Sequence, residues 1–375
     1  MQRHLTSVCV TLALALTACG GAAAPSSSPP ASAAAKPASP AASAGSEKPA
    51  ASAAAKPASS AQAATSGAAA GKPERDSVKI VYATASGEDT FVNLAVSKGY
   101  FQNHGLKADA QFVESNASIA ALTAGEAQLD MADGVSAIQA ITSGTPLKIL
   151  GYFDKTSPYM IAALGDIKQP SDLKGKTVAV GKIGDTSDIS LRIGLKQIGI
   201  DPAKDMTILQ VGNSPARWAA LSSKQIQAAI LDEEAYRKMA EAQGMNVLVS
   251  MQRQKLPYVA SALVVTDAFS KANPNTVLAS LKALIDGTKF FADEKNKNEV
   301  LPAMAKELKL EVGSPQLETA YDAYHTRAAT DPYPDTAGVQ TILDALNSID
   351  PSRYKDVTPA GVIDTSYMDK IRSGA

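Results

Sequence analysis

Residues 171–181 read SDLKGKTVAVG, and their reading sets how many folded bodies the chain makes. Thr177–Val180 is a short apolar run between Gly175-Lys176 and Gly181, which predicts a buried strand. A loop through Asp185 and a helix over about 187–198 follow it. The same alternation has already run once upstream, so an α/β pattern restarts here and the chain carries two α/β lobes.

The upstream run begins at SVKIVYATAS (77–86), where Val78, Ile80 and Tyr82 alternate with Lys79, Val81 and Ala83 as in a strand. Asp89 or Thr90 caps a helix to about Lys98, with Phe91, Leu94 and Ala95 on one face and Gly99 ending it. Strands near 108–113, 129–132 and 147–152 alternate with helices at 115–124 and 135–143. Downstream of 181 the spacing predicts strands at 206–210, at IQAAILD and at MNVLVS, with helices near 216–223 and after Asp232. YVASALVVT is a further strand, and helices at about 274–291, 315–329 and 336–348 are expected to return to the first lobe.

The N-terminus has a different character. Arg3 and His4 precede an uncharged, mostly apolar run over 8–18, too short to span a bilayer as a helix and suited to the core of a signal peptide. LTACGG (16–21) then resembles a bacterial lipobox, which implies cleavage after Ala18 and lipid on Cys19; the alternative is an ordinary secretory signal with Cys19 an incidental thiol. Over 19–76 the chain is nearly all Ala, Pro, Ser, Gly and Lys, and ASAAAKPASP (31–40) returns as ASAAAKPASS (51–60). Such a segment buries too little to offset the entropy of ordering, so it reads as a tether with ends on the order of 40 Å apart.

Composition narrows the chemistry. A net charge of −1 offers no field for nucleic acid or an acidic membrane surface, and 45% hydrophobic residues are ample for a core. Cys9 and Cys19 are the only cysteines, so the folded body has no disulfide and no thiolate metal site, and only His104 and His325 lie in it. No metal, cofactor or catalytic residue is expected. The GKT at 175–177 lacks the earlier glycine of a phosphate-binding loop, because residue 170 is Pro, and no G-x-S-x-G elbow occurs.

AVSKGYFQNHGL (95–106), LTAGEAQLDMAD (122–133), SDLKGKTVAV (171–180) and AAILDEEAY (228–236) occur in that order. In these the chain resembles the solute-binding proteins of ABC importers, of the nitrate, sulfonate, taurine and pyrimidine-precursor type. The resemblance implies an α/β, two-lobed periplasmic-binding-protein-like (type II) fold with two hinge crossings. One lobe is then 77–167 plus 258–375, and the other is 168–257. It also implies an extracytoplasmic monomer that closes on a small polar organic solute or oxyanion and delivers it to a permease with a cytoplasmic ATPase. A sensory module or an enzyme on the same scaffold are the alternatives.

Ligands of open α/β sheets lie beyond the carboxyl ends of the strands, beside helix N-termini. Those places hold Ala85 and Ser86 after the first strand, and Asp133, Gly134 and Ser136 after the third. In the second lobe they hold Gly184, Asp185, Thr186 and Ser187, then Asn213, then Asp232, with Tyr258 at the second crossing. Each has a second reading: Asp133, Ser136, Asp185, Ser187 and Asp188 can simply cap helices, and Tyr152, Tyr159, Trp218 and Tyr258 can be packing. Asp232, Glu233 and Glu234 depart from the pattern of sulfonate binders and, with Glu88, Asp89 and Asp185, favour a neutral or cationic solute. Lys182, Arg192 and Arg217 are the residues from which an anion clamp could be built.

Overall fold

The computed structural model describes residues 71–83 and 87–374. The expected signal peptide, Cys19 and most of the tether lie outside the described residues. The tether does not run to 76 as expected, because Glu74 accepts hydrogen bonds from the amides of Asn275 (3.0 Å) and Thr276 (2.8 Å). A carboxylate at the unsatisfied N–H groups of the helix Pro274–Ala292 is favourable whatever the composition around it.

Ten strands form two five-stranded sheets. The first contains β1 (Ser77–Tyr82), β2 (Lys107–Phe112), β3 (Leu129–Asp133) and β4 (Leu147–Asp154). The second contains β5 (Tyr159–Ala163), β6 (Thr177–Val180), β7 (Thr207–Gln210), β8 (Ala228–Asp232) and β9 (Asn246–Ser250). The chain then returns, and β10 (Ser261–Thr266) joins the first sheet. The orders are β2-β1-β3-β10-β4 and β7-β6-β8-β5-β9. In each sheet the strand that arrives from the other one, β10 or β5, inserts fourth and runs antiparallel to both neighbours.

The sequence reading placed the first crossing at 167/168. Strand β5, YMIAA, belongs to the second sheet, so the chain leaves the first sheet at 155–158 instead. A central strand buried on both faces has no period-two alternation to announce it. The helix Lys297–Leu308 was likewise not expected; Pro302 inside it breaks the usual signal.

The two crossings run side by side. The amide of Ala260 donates to the carbonyl of Asp154 at 3.0 Å, and the amide of Met251 to that of Tyr159 at 3.2 Å. One face of the first sheet packs on the helices Thr90–Ser97 and Pro274–Ala292 through Phe91, Leu94, Val277 and Leu281. The other face packs on the helices Gly134–Thr142 and Thr336–Ile349. That second core also takes in Ile189 and Ile193, from the helix Thr186–Gln197 that covers the second sheet, so apolar packing joins the two lobes behind the crossings.

Gly134 sits where the returning chain passes closest. A Cβ on it would lie 2.2 Å from the carbonyl oxygen of Val259, so only glycine fits. Gly134→Ala should therefore cost about 1–3 kcal/mol through overpacking, seen as a fall of several degrees in melting temperature. Gly361→Ala, whose nearest neighbour would be Thr358 Oγ1 at 3.8 Å, should change little. Equal melting temperatures for the two variants would contradict this account of the crossing.

Candidate functional site

The carboxyl ends of β1, β3 and β4 face those of β6 and β8 across the crossings. Strand β3 ends on Asp133, whose extended backbone turns the chain into the helix Gly134–Thr142. Its Oδ1 accepts from the amide of Ser136 at 2.9 Å, which is the capping role, one of the two read for it from sequence. The same oxygen accepts from Thr186 Oγ1 at 2.9 Å, a bond that comes from the other lobe. Beside it, Gln139 Nε2 donates to the carbonyl of Gly184 at 2.8 Å.

The loop 181–188 is held by its own acidic residues. Asp185 Oδ1 accepts from the amide of Asp188 (2.9 Å) and from Ser187 Oγ (2.7 Å), and its Oδ2 from the amide of Lys182 (2.8 Å). Ser187 Oγ in turn accepts from the amide of Gly181 at 2.7 Å. Gly184, at φ +84°, makes the turn that lets Asp188 Oδ2 take its amide at 2.8 Å. Carboxylates thus take the amides of Lys182, Gly184 and Asp188, three of the N–H groups that a bound anion could use here.

The structure brings together Asp133, Gly184, Asp185, Thr186 and Tyr258. Tyr258 is buried at the second crossing and its hydroxyl accepts from Ser190 Oγ at 3.1 Å, again between lobes. Burial pushes its pKa up, and the carboxylates of Asp133, Glu88 and Asp185 add to the shift, so all three act on one hydroxyl from two lobes. Tyr159 is raised for the same reasons, by burial and then by Asp232. Ala85 and Ser86 lie outside the described residues. Gly134 faces Val259, Ser136 contributes its amide to the Asp133 cap, and Asn213 caps the helix Ser214–Ser222 through the amide of Ala216 at 3.1 Å.

The residues weighed as an anion clamp are engaged elsewhere. Arg217 is buried and donates to the carbonyls of Ile230 (2.7 Å) and Gly212 and to Ser214 Oγ (2.7 Å). Arg192 Nε donates to Asp188 at 3.0 Å. Of the acidic trio, Glu233 is no rim group, since it is buried on Ser250 Oγ and Arg237. Asp232 stays partly exposed at the end of β8, opposite Tyr159, and its side chain makes no cap. The rings of Trp218 and Tyr236 lie tilted with centroids 5.4 Å apart, and Tyr152 donates its hydroxyl to the carbonyl of Asp335 at 2.9 Å, both as packing.

Sequence reasoning missed Arg327. Its buried Nη2 donates to Asp154 Oδ2 at 2.5 Å and to the carbonyl of Thr156 at 3.2 Å, with Glu88 Oε2 at 3.6 Å. No local signal could have found a partner 173 positions away. Asp89, read as a possible helix cap, makes no cap and instead accepts from Ser261 Oγ of β10 at 2.7 Å. His104 pairs with Asp286 at 2.8 Å, and His325 Nδ1 lies 2.8 Å from the carbonyl of Tyr321, so both histidines serve packing. Among the described residues no group of three or more His, Cys, Asp or Glu is placed to hold a metal ion, and no helix is long and apolar enough to cross a membrane.

Two α/β lobes with a doubled crossing and a site at their facing strand ends define the class of periplasmic-binding-protein folds. Residues 88–297 match the NMT1/THI5-like family, and the chain belongs to it. Over 114 residues it is 32% identical to a putative ABC transporter periplasmic binding protein of Brachyspira hyodysenteriae, a match spanning 30% of this chain and about a third (32%) of that one. Among solved structures it is similar to the periplasmic aliphatic sulphonate binding protein SsuA of Escherichia coli. That likeness has a TM-score of 0.64 at 19% identity, over 78% of this chain and 93% of the other. The periplasmic nitrate-binding protein NrtA of Synechocystis gives 0.61 at 16% identity, over 81% and 89%. At these identities the two structures share the fold.

Asp130, three residues before the cap on β3, is fully buried, and burial pushes its carboxyl up to about 7 against the pull of the Ser118 hydroxyl. The folded state therefore holds this proton where the unfolded chain, at about 4, releases it. The stabilisation is complete below that lower value and is lost as pH rises to about 7, by on the order of 1.4 kcal/mol per pH unit. Melting temperature should fall over that window, and Asp130→Asn should flatten the slope. An unchanged slope in the variant would place the titration elsewhere.

Proposed function

We propose that this chain is the extracytoplasmic solute-binding component of an ABC importer, capturing a small solute between its lobes and presenting the closed form to a permease served by a cytoplasmic ATPase. Membership of the NMT1/THI5-like family and the likeness to a putative ABC transporter periplasmic binding protein of Brachyspira support this reading. The observation that carries it is the Thr186–Asp133 hydrogen bond, which ties the two facing helix N-termini together across the cleft. A solute that touches both lobes binds the closed state more tightly than the open one, and this differential affinity is what drives closure.

The site residues follow from that placement. Asp133 and Thr186 are the central pair, with Asp185, Gly184 and Tyr258 around them, and Asp232 on the rim of the second lobe. Ala85 and Ser86 complete the first lobe in this reading, on the family pattern. The role is binding without turnover, and one chain carries both halves of the cleft, so a monomer suffices. Cys19 carries the lipid anchor and the 19–70 segment the tether, a reading that rests on LTACGG and on the composition that follows it.

Two measurements test this. A bound solute at about 100 times its dissociation constant should stabilise the chain by about 2.7 kcal/mol. Thr186→Val, which removes the cross-cleft donor, should weaken that solute up to about tenfold, the worth of one hydrogen bond. Titration calorimetry returning the wild-type dissociation constant for this variant would sink the cleft assignment. For the anchor, Cys19→Ala should move the protein from the membrane fraction to the soluble one; retention on the membrane would rule out attachment through Cys19.

A further inference from the structure

Asp133 carries an oxygen for which the described residues supply no partner. Oδ1 takes both the Ser136 amide and the Thr186 hydroxyl, while Oδ2 is buried and accepts nothing among the described residues. The residue is 7% exposed, yet its carboxylate faces the opposite lobe, as the bond from Thr186 shows. A buried carboxylate oxygen without a donor costs stability, so such atoms usually meet a partner.

Carboxylates predominate around that oxygen. Glu88 and Asp185 lie close enough to act on the same Tyr258 hydroxyl as Asp133 does. Of the nearby cations, Arg192 is paired with Asp188, while Arg217 has each of its three nitrogens bonded to a neutral carbonyl or hydroxyl and keeps its charge. Arg327 keeps Nε and Nη1 without a hydrogen-bond partner among the described residues, but it stands between Asp154 and Glu88, so one positive charge faces two negative ones. The amides of Lys182, Gly184 and Asp188, which would form an anion nest in the second lobe, already bond to Asp185 and Asp188.

We propose that the solute presents a cationic or neutral N–H donor group to Asp133 Oδ2, and that the site discriminates against simple oxyanions such as nitrate and sulfonates. The proposal rests on the cleft reading above and names the solute class for it. An N–H group, best of all an amidinium or ammonium, supplies the missing donor as a charge-assisted hydrogen bond. An oxyanion would leave Oδ2 unpartnered and set like charges against each other.

The test uses the full chain with acetamidine, putrescine and 4-aminopyrimidine as donor probes, and nitrate and methanesulfonate as anionic ones. Thermal shifts find binders, titration calorimetry gives affinities, and hydrogen exchange maps the contact. A donor probe is expected to bind, to protect amides in 133–136 and 181–188, and to lose at least tenfold in affinity in Asp133→Asn. The amide oxygen of that variant can keep both bonds that Oδ1 accepts, and its melting temperature alone reports folding. Asp232→Asn removes a partly exposed charge and should weaken the same probe with the same sign. Nitrate or methanesulfonate protecting those segments more tightly than any donor, or a donor affinity unchanged in Asp133→Asn, overturns the solute class and leaves the cleft standing. Donor protection lying wholly outside those segments overturns both readings, and binding by none of the donor probes overturns the class.

Discussion

The amide of Ala260 donates to the carbonyl of Asp154, and through this bond the two segments that pass between the sheets become one double strap. The remaining architecture depends on it. Because the chain crosses at 155–158 and again at 251–260, each sheet receives a foreign strand in fourth place, and the carboxyl ends of both sheets are turned toward each other. Two helix N-termini, headed by Asp133 and Asp185, are thereby brought face to face. The closeness of the strap to the third strand's end is what demands glycine at 134. A double crossing also limits the motion available: the lobes can rotate about the strap but not slide past it, which suits a hinge.

Electrostatics then decide what such a cleft can hold. Opposed helix N-termini would ordinarily attract an anion, since their N–H groups are unsatisfied and their dipoles positive. In this chain the attraction is met internally. Asp185 takes the amide of Asp188 and Asp188 that of Gly184 at one end, Asp133 takes the amide of Ser136 at the other, and Glu88 and Asp154 hold the buried guanidinium of Arg327. Carboxylates do the work a bound oxyanion would do, and the cleft is left acidic. The likeness in fold to a sulphonate binder and a nitrate binder leaves the charge of this cleft to be set by its own residues.

The apolar packing behind the strap gives the lobes a common floor. Ile189 and Ile193 of the second lobe are buried with Val339 and Ile342 of the C-terminal helix, so the hinge side stays covered. Polar contacts on the cleft side, between Thr186 and Asp133 and between Gln139 and Gly184, are few. Each is worth about 0.5–1.5 kcal/mol net, a small contribution to the closed form that a solute bridging both lobes adds to. The arrangement concentrates permanent burial at the hinge and exchangeable hydrogen bonds at the site.

Much of this was legible in the amino-acid sequence, because it is local. Strand periodicity and glycine stops are properties of neighbouring residues, and the caps at Asp133 and Asp185 rest on contacts between residues three apart, which the chain makes wherever it is. The restart of the α/β pattern at 171 announced two lobes for the same reason. Tertiary structure alone decided the rest. It put β5 in the second sheet, since YMIAA is apolar on both faces and names no sheet. It gave Asp133 a partner 53 residues away and Asp154 one 173 residues away, and it buried Glu233 while leaving Asp232 near the cleft. Which of two carboxylates meets water, an arginine or a solute depends on distances through space. The sequence determined that acids would stand at the strand ends; only the packing of the two lobes decided which of their oxygens was left without a donor.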